Sequence, residues 1–247
     1  MRNRTHFLKS SRHWGWYFKN LKQLKKELKA NDQFRISTLF PILNERQDAG
    51  GITSGHYFHQ DLLIAQRIFK NSPDKHVDIG SRTDGFVAHV AAYRPIEVLD
   101  IRKNNSQLDN INFVQLDFTN LGEEFINYTD SISSLHVFEH FGLGRYNDPI
   151  DANGHLKGLD MVYKMLKPDG KFYFSTPIGP QRIEFNAQRV FSIRYLLELF
   201  KPHYHIDQFS FVDDAGDLYK DVQLSETDIS TSLGCTYGCG IFELSKK

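Results

Sequence analysis

A turn with two glycines, between an apolar strand and a helix, is the part of the sequence that most directly indicates chemistry. Residues 77–86 read Val-Asp-Ile-Gly-Ser-Arg-Thr-Asp-Gly-Phe and contain Gly80 and Gly85. Asp100 ends a second apolar strand twenty positions after Gly80. In nucleotide-binding α/β folds this spacing brings a carboxylate to the hydroxyl pair of a ribose. The pattern therefore predicts a binding site for a ligand that contains adenosine.

Residues within and just after the turn narrow the class of ligand. Phe86 and Val87 follow the last glycine, where a phosphate-binding loop needs Lys and then Ser or Thr, so ATP hydrolysis is excluded. Arg82 stands at the middle glycine position of the dinucleotide pattern, which weakens a nicotinamide assignment but leaves it open. Asp78, two positions before Gly80, suits a ligand that carries a sulfonium and an ammonium group, because a carboxylate attracts cations.

Three further segments follow the turn in an order that chance would rarely produce. They are a strand that ends in an acidic and an aromatic residue, an alternating strand, and a strand entered through a Leu-Lys-Pro-Asp-Gly turn, at residues 112–118, 131–140 and 165–177. The order over residues 77–177 resembles that of class I S-adenosylmethionine-dependent methyltransferases. With residues 56–61 included, the pattern also resembles a small methyltransferase-like family known only as a domain of unknown function.

The resemblance implies both the fold and the cofactor. The implied fold is α/β: a Rossmann-like, seven-stranded class I methyltransferase sheet with helices on both faces, plus an N-terminal helical extension. Residues 240–245 would form its antiparallel edge strand. The implied cofactor is S-adenosylmethionine, with Asp100 on the ribose, Asp117 accepting from the adenine amine and Phe118 packing on the ring. The residues expected to bind the cofactor are Asp78, Gly80, Ser81, Arg82, Gly85, Asp100, Ile101, Asp117 and Phe118.

Arg82 departs from the family's Asp-x-Gly-x-Gly-x-Gly turn, because it stands where the central glycine is expected. A guanidinium beside a sulfonium would be repulsive. Arg82 must therefore point away, or bind an anion such as the carboxylate of the methionine moiety or a phosphate on the acceptor. The alternative is a surface arginine that takes no part in binding.

The candidate catalytic residues, His136, Glu139 and His140, lie at the predicted end of the fourth strand, where open α/β sheets bind ligands. Methyl transfer mainly requires that the acceptor be held behind the methyl group, and a hydroxyl acceptor must also lose its proton. His140 is the expected general base, and Glu139 would orient it or accept a hydrogen bond from the cofactor. The competing interpretation is a loop without a catalytic role.

The same segment spells His-x-x-Glu-His, the inverted motif of a zinc protease. That motif requires a helix, whereas residues 131–137 alternate as a strand does, so we expect no metal there. Cys235 and Cys239 lack a second ligand pair at zinc-finger spacing and are interpreted as two thiols beside the last strand. Asp148 and Asp151 could hold a divalent cation and an acceptor, but capping of the following helix explains them more simply.

Charge is distributed unevenly along the chain, although the formal net charge is +0. Residues 1–30 contain nine Lys or Arg and one Glu, so this segment is net +8 and the remainder −8. Aromatic residues and leucines at helical spacing complete a basic amphipathic helix, which either rests on anionic lipid or packs on the domain. We divide the chain into a basic, aromatic arm and loop, residues 1–55, and a methyltransferase-like α/β domain, residues 56–247.

Length and composition bound the setting of the protein. A chain of 247 residues buries roughly 70–75% of its unfolded surface, so it needs neither a metal nor disulfides for stability. The two cysteines indicate a reducing compartment. No apolar run approaches the roughly 20 residues of a membrane span, and the first residues lack the apolar region of a signal peptide. We expect a cytoplasmic protein, with peripheral membrane contact through residues 1–30 as an option.

The predicted function is methyl transfer to a small polar acceptor, such as a sugar or polysaccharide precursor. The polar segment at residues 181–188 supports this expectation, because it offers hydrogen-bonding side chains after the fifth strand. The alternative is a degenerate methyltransferase fold that acts as a binding or scaffold protein, favoured by Arg82 and the basic arm. A nicotinamide oxidoreductase is the remaining alternative. No nucleic acid is expected as a partner, since basic residues do not cluster in the core, and the oligomeric state stays open.

Overall fold

The computed structural model describes residues 5–28, 33–118 and 121–247, and describes side chains from Trp14 onward. The backbone divides into two compact units, Met1–Ile52 and Thr53–Lys247. The sequence predicted a boundary after residue 55. Six residues of the predicted basic arm, at 1–4, 29 and 30, lie outside the described part of the chain.

The first unit contains one long helix, α1 (Thr5–Leu28), with two lysines in its last turn. Trp14, Tyr17 and Phe18 form a ring cluster on it, with centroids 5.6 Å apart for Trp14 and Tyr17 and 5.4 Å apart for Trp14 and Phe18. Residues three and four apart are neighbours on a helix surface, which explains why this spacing brings the rings together. Residues 33–52 contain neither helix nor strand.

The second unit alternates strands and helices along most of its length. Its helices are α2 (His56–Asn71), α3 (Ala88–Ala91), α4 (Gly154–Met165), α5 (Ile193–Phe200) and α6 (Glu226–Thr231). Its strands are β1 (His76–Ile79), β2 (Ile96–Asp100), β3 (Ile111–Gln115), β4 (Thr129–Leu135), β5 (Leu166–Ile178), β6 (Arg182–Glu184), β7 (Gln188–Val190), β8 (Tyr204–Val212), β9 (Leu218–Tyr219) and β10 (Gly238–Lys246). Short helical turns cover Thr83–Val87, Glu123–Phe125, Phe138–His140 and Ser232–Gly234.

The main sheet has the strand order β3-β2-β1-β4-β5-β10-β8-β9. Strands β1 to β5 pair in parallel, whereas β10, β8 and β9 pair antiparallel. The predicted Rossmann-like class I methyltransferase sheet is confirmed, with eight strands rather than seven, because the two-residue β9 pairs with the outer side of β8. The strand order reverses between β1 and β4, where sheets of this type bind their ligands.

The sequence placed strand β10 wrongly within the sheet. It was predicted at an edge, but it pairs with β5 on one side and with β8 on the other. Nearly every residue of β10 is buried. Period-two alternation does not distinguish an edge strand from an interior strand when both faces of the sheet are covered.

Apolar side chains cover both faces of the sheet. On one face, the ring of Phe200 from α5 lies 5.3 Å from that of Phe174 in β5 and 5.3 Å from that of Phe242 in β10. On the other face, Ile64 from α2 shares a buried cluster with Ile241, the neighbour of Phe242 in β10. Each such side chain stabilises the fold by about 1.5–3 kcal/mol on burial. Helices therefore cover both faces, as predicted.

Helix α2 precedes β1 along the chain and packs on the sheet. Ile64 and Ile68, one helical turn apart, are fully buried and anchor it on the sheet. The helix ends at Asn71 because Ser72 adopts a left-handed conformation with φ 44° and Pro73 cannot continue a helix.

Candidate functional site

A cavity of about 470 Å³ opens at the carboxyl ends of β1, β2 and β4, where the strand order reverses. This volume lies within the roughly 300–1,000 Å³ that is typical of small-molecule sites. Seven of the residues predicted from the sequence line it: Gly80, Asp100, Ile101, Asp117, Phe118, His136 and His140. Five others are absent from its lining: Asp78, Ser81, Arg82, Gly85 and Glu139.

Gly80 allows the chain to turn tightly at the cavity wall. Its φ is +64°, and a Cβ at this position would lie 2.9 Å from Cγ1 of Val137. Its backbone N–H donates to the carbonyl oxygen of Leu99, which joins the turn to β2. Both the backbone conformation and the close approach therefore require glycine here.

Asp78 acts from behind the cavity wall. Its fully buried carboxylate accepts hydrogen bonds from the backbone N–H and the hydroxyl of Ser81, at 2.9 and 2.7 Å, and from the hydroxyl of Ser133 at 2.6 Å. Burial raises the pKa of Asp78 to about 6, although these hydrogen bonds oppose the shift. Asp78 thus links the glycine turn to β4 and positions the turn.

Arg82 and Gly85 belong to the same turn but do not line the cavity. Arg82 is exposed, and its guanidinium donates two hydrogen bonds to the carboxylate of Asp84, at 3.1 and 2.8 Å. The guanidinium carbon also lies 5.1 Å from the ring centre of Tyr57. At Gly85, an added Cβ would lie 2.4 Å from Oδ2 of Asp61 in α2. Gly85 therefore lies directly against the carboxylate of Asp61. Burial raises the pKa of Asp61 to about 6.

Asp100 faces the cavity and is engaged by Arg102. The backbone N–H of Arg102 donates to Oδ1 of Asp100 at 2.8 Å, and its guanidinium Nε donates to the same oxygen at 2.9 Å. The guanidinium carbon lies 4.7 Å from the ring centre of Tyr146. Arg102 and Tyr146 both line the cavity, and the sequence analysis named neither. A cation on the face of an aromatic ring is a favourable contact that only the folded chain reveals.

The segment after β3 places an apolar ring and a carboxylate together on the cavity. Phe118 is buried, and its ring meets Phe138 edge-on with centroids 6.4 Å apart. Asp117 is exposed beside it. The two residues that follow, 119 and 120, lie outside the described part of the chain. An apolar ring next to an exposed acceptor suits a flat heteroaromatic group that bears an amine.

His136 and Glu139 form a buried pair beneath the cavity. Nδ1 of His136 donates to Oε1 of Glu139 at 2.8 Å, and the hydroxyl of Thr176 donates to the other carboxylate oxygen at 3.4 Å. His136 has a φ of 58°, a conformation in which residues other than glycine are strained. Although burial opposes its charged form, Cys239 and Glu139 raise the pKa of His136 well above its ordinary value.

His140 lines the cavity, and one of its ring nitrogens forms a hydrogen bond with the backbone. Its Nδ1 donates to the carbonyl oxygen of Ala187 at 2.7 Å, which leaves Nε2 as the unprotonated nitrogen of the neutral ring. Burial lowers the pKa of His140, so the ring is neutral near pH 7. Nε2 lies 3.9 Å from Oε1 of Glu139. A neutral imidazole with a free nitrogen at a cavity wall can accept a proton.

The loop that forms the mouth of the cavity, residues 141–152, is held by two side chains. The carboxylate of Asp148 accepts from the backbone N–H of Gly142 at 2.8 Å and of Tyr146 at 3.1 Å. Arg189 of β7 is buried and donates to the carbonyl oxygens of Phe141 and Ala152. Nothing in the sequence near Arg189 indicates that its guanidinium holds this loop, because the backbone carbonyl groups that accept its hydrogen bonds are distant in sequence.

Neither the helical His-x-x-Glu-His motif nor an open carboxylate site at Asp151 is formed in the structure. The His-x-x-Glu-His segment is a strand end followed by a single helical turn, so its two histidines do not share a helix face. Asp151 pairs with Lys157 at 2.6 Å and accepts from the backbone N–H of Asn153 at the entry to α4. Cys235 and Cys239 are buried and form no disulfide.

One protein family matches the sequence over most of this unit. It is described as Caenorhabditis protein of unknown function, DUF268, and it matches residues 88–233. The chain belongs to the DUF268 family. The match begins just after the glycine turn and includes β2 to β9, so it covers the mouth loop and the catalytic candidates of the DUF268 chain. No curated protein matches the sequence.

Solved structures similar to the DUF268 chain share its fold at low sequence identity. The 1,6-didemethyltoxoflavin-N1-methyltransferase of Burkholderia thailandensis, with bound S-adenosylhomocysteine, has a TM-score of 0.55 and 14% identity over 76% of this chain and 78% of its own. The N-methyltransferase NodS of Bradyrhizobium japonicum has a TM-score of 0.51 and 14% identity over 91% and 97%. The [4+2]-cyclase SpnF has a TM-score of 0.52 and 13% identity over 76% and 80%.

These similarities establish the class I methyltransferase fold of the DUF268 chain. A cyclase and two methyltransferases are among the similar structures, so the fold by itself leaves the reaction open. Within the described residues, no helix combines the length and the apolar character required to cross a membrane.

Proposed function

We propose that the DUF268 chain is an S-adenosylmethionine-dependent methyltransferase that acts on a small polar acceptor, with a sugar or polysaccharide precursor as the favoured class. The observation that carries the proposal is the cavity at the switch point of the sheet, which collects Gly80, Asp100, Asp117 and Phe118 in one wall. The bound S-adenosylhomocysteine of the Burkholderia methyltransferase, a structure of the same fold, supports the choice of cofactor.

The donors and acceptors of the cavity fit this cofactor. Asp100 offers a carboxylate to the ribose hydroxyls, and Asp117 offers one to the adenine amine. Phe118 and Ile101 supply apolar surface for the ring. When bound, S-adenosylmethionine supplies a methyl group on a positively charged sulfur. Asp78 holds the turn beneath, and its buried carboxylate contributes negative charge to this end of the sheet at neutral pH.

His140 is proposed as the general base for a hydroxyl acceptor. With S-adenosylmethionine bound as the methyl donor, Nε2 of His140 would accept the proton of an acceptor hydroxyl group. The carbonyl of Ala187 holds Nδ1 at 2.7 Å, which fixes the ring orientation and keeps Nε2 available. His136 and Glu139 are proposed to position this part of the wall through their 2.8 Å hydrogen bond.

The polar rim of the cavity supports a polar acceptor. Lys157, Asp151 and Tyr146 line the cavity together with Arg102, so hydrogen-bond donors, acceptors and an aromatic face are available within one opening. Sugars present this combination of hydroxyl groups and apolar faces. In the polar segment at residues 181–188, Arg182 and Glu184 form an ion pair, with 2.7 Å between Nη2 of Arg182 and Oε1 of Glu184.

The test begins with binding and continues to turnover. Calorimetric titration with S-adenosylmethionine and S-adenosylhomocysteine is expected to show saturable binding, with NAD as the control that does not bind. Release of S-adenosylhomocysteine is then measured with sugar nucleotides, free sugars and simple amines as candidate acceptors. A His140→Gln variant is expected to bind the cofactor normally and to turn over slowly. A folded protein that binds neither methionine derivative would refute the proposal.

A binding or scaffold role is the second candidate. It is favoured by Arg82, whose guanidinium replaces a turn glycine and pairs with Asp84, and by α1, which exposes Trp14 and Phe18 beside its lysines. We propose that α1 would then contact anionic membrane surfaces. Sedimentation with phosphatidylserine vesicles, lost in a Trp14→Ala, Phe18→Ala double variant, together with absent cofactor binding, would favour this role. Equal sedimentation of the double variant would refute it.

A further inference from the structure

Three residues that are distant in the sequence bring metal-ligand atoms together beside the cavity. His56 is the first residue of α2, His136 follows the end of β4, and Cys239 lies in β10. Their ligand atoms, two imidazole nitrogens and one sulfur, all lie within 4.8 Å of one another. Sequence spacing could not indicate the group, because helix, strand and turn packing alone assemble it.

The ring of His136 supplies an independent observation. Its Nε2 is buried and has no hydrogen-bond partner among the residues that the structure describes, while Nδ1 donates to the carboxylate of Glu139 at 2.8 Å. A buried polar nitrogen without a partner costs about 1–3 kcal/mol. Metal-binding histidines commonly have this arrangement, in which a carboxylate holds one ring nitrogen and the other nitrogen faces the ion.

The other two residues are also held in place. The ring of His56 stacks on the ring of His136 with centroids 5.2 Å apart and on the ring of Tyr237 with centroids 5.5 Å apart. Cys239 is fully buried, with its sulfur 3.6 Å from Oε1 of Gln60. Each ligand thus has a neighbour that limits its orientation, as expected of a site that is largely formed before the ion binds.

We propose that His56, His136 and Cys239 form a metal site for Zn²⁺ or a similar borderline-soft divalent ion. Two imidazoles and one thiolate are ligands that zinc prefers, at about 2.0–2.3 Å, so a tetrahedral site needs the ligand atoms to move together by about 1 Å. The protons carried by the thiol of Cys239 and by Nε2 of His136 pass to solvent when the ion binds. The site is defined by its ligands and does not depend on the proposed methyl transfer.

Three protein ligands leave one coordination position for a water molecule or an acceptor atom. His136 lines the cavity as well as belonging to the group, so the ion would adjoin the proposed transfer site. If methyl transfer is established, the ion would polarise a hydroxyl or thiol acceptor at the fourth position. This last step rests on the proposed function, whereas the existence of the site does not.

The test measures metal binding by the untagged, full-length chain after treatment with a chelator. Titration with Zn²⁺ is expected to show one ion per chain, and Co²⁺ is expected to produce a thiolate-to-cobalt charge-transfer band. Cys239→Ser should abolish the band, whereas Cys235→Ser, which changes the other buried cysteine, should retain it. Circular dichroism and thermal melting confirm that both variants are folded.

Two further variants separate a metal site from a nearby binding artefact. His56→Gln should weaken Zn²⁺ binding at least tenfold and leave the fold intact, because this residue is only partly buried. Glu139→Gln should weaken it by about 10- to 100-fold through the orientation of His136. Absence of the band in the unmodified chain, or equal Zn²⁺ affinity in Cys239→Ser, would overturn the proposal. Because S-adenosylmethionine binding is measured separately, failure of one proposal leaves the other standing.

Discussion

The Asp100→Ala substitution tests directly whether the cavity holds a ribose. The side chain of Asp100 is 18% exposed and points into the cavity, where its carboxylate already accepts hydrogen bonds from Arg102. The backbone carbonyl of Asp100 accepts from the N–H of Leu116, and this contact survives any side-chain change. The substitution should therefore remove a ligand contact without breaking the sheet, and unfolding stability should fall by no more than about 1 kcal/mol.

The loss of binding energy follows from the contacts that the carboxylate would make. A hydrogen bond to a charged group contributes about 1.5–3 kcal/mol, and two ribose hydroxyls could each donate one. Arg102 competes for the same oxygens, which reduces the gain. We therefore expect a total loss of about 1.5–3 kcal/mol, which corresponds to a Kd for S-adenosylmethionine that rises about 10- to 150-fold.

Calorimetric titration of Asp100→Ala beside three control variants isolates this effect. Asp109→Ala removes an exposed carboxylate from the turn before β3 and should bind like the unmodified chain. Arg102→Ala frees the carboxylate of Asp100 and should bind at least as tightly. The double variant Asp100→Ala, Arg102→Ala controls for an unpaired guanidinium near a cationic ligand. Equal affinity in Asp100→Ala and Asp109→Ala would refute the assignment of the ribose to Asp100.

Three more substitutions test the structural reasoning. Gly80→Ala combines a φ of +64° with a Cβ 2.9 Å from Val137, so urea unfolding should show a loss of about 1–3 kcal/mol, and no loss would contradict the turn geometry. Burial raises the pKa of Asp61 from 3.8 to about 6. The folded state therefore binds this proton more tightly than the unfolded state does. Above pH 6 the carboxylate of Asp61 is ionised, and its burial destabilises the fold. Asp61→Asn should therefore be more stable than the unmodified chain at pH 7.5, by at most about 3 kcal/mol, and this advantage should vanish by pH 4; an advantage that persists at pH 4 would contradict the titration of Asp61. Phe200→Ala removes a fully buried ring and should lower the free energy of unfolding by about 3–5 kcal/mol in the same assay. A decrease below about 1 kcal/mol would show that neighbouring side chains fill the space left by the ring.

The parts of the fold that were predictable are those in which hydrophobic periodicity and turn chemistry agree. The glycine turn and the strand that ends at Asp100 carry both signals. The sequence also predicted correctly that the core strands follow one another in the order of the class I fold. These features depend on contacts between residues near in sequence, or on one repeated pattern.

The features that could not be predicted depend on which residues, far apart in the sequence, contact or form hydrogen bonds with each side chain. Arg189 stands in a polar segment, where a charged residue usually faces solvent, but it is buried because carbonyl oxygens of another loop accept its donors. Arg102 covers Asp100 through a rotamer that spacing does not encode. His56 and Cys239 meet across 183 positions only because α2 and β10 pack at one end of the sheet.

Hydrogen bonds hold the β6 and β7 hairpin against the mouth loop and the adjoining His140. The carbonyl of Ala187, at the tip of the hairpin, accepts from both His140 and Arg145, at 2.7 and 2.9 Å, and Arg189 at its base holds the loop at Phe141. A ligand too large for the existing opening would have to break these hydrogen bonds together, so its entry and its release would be slow steps controlled by the same barrier. If the proposed methyl transfer is established, we expect product release to limit turnover, and a substitution at the hairpin tip should change the residence time of the ligand before it changes the chemical step.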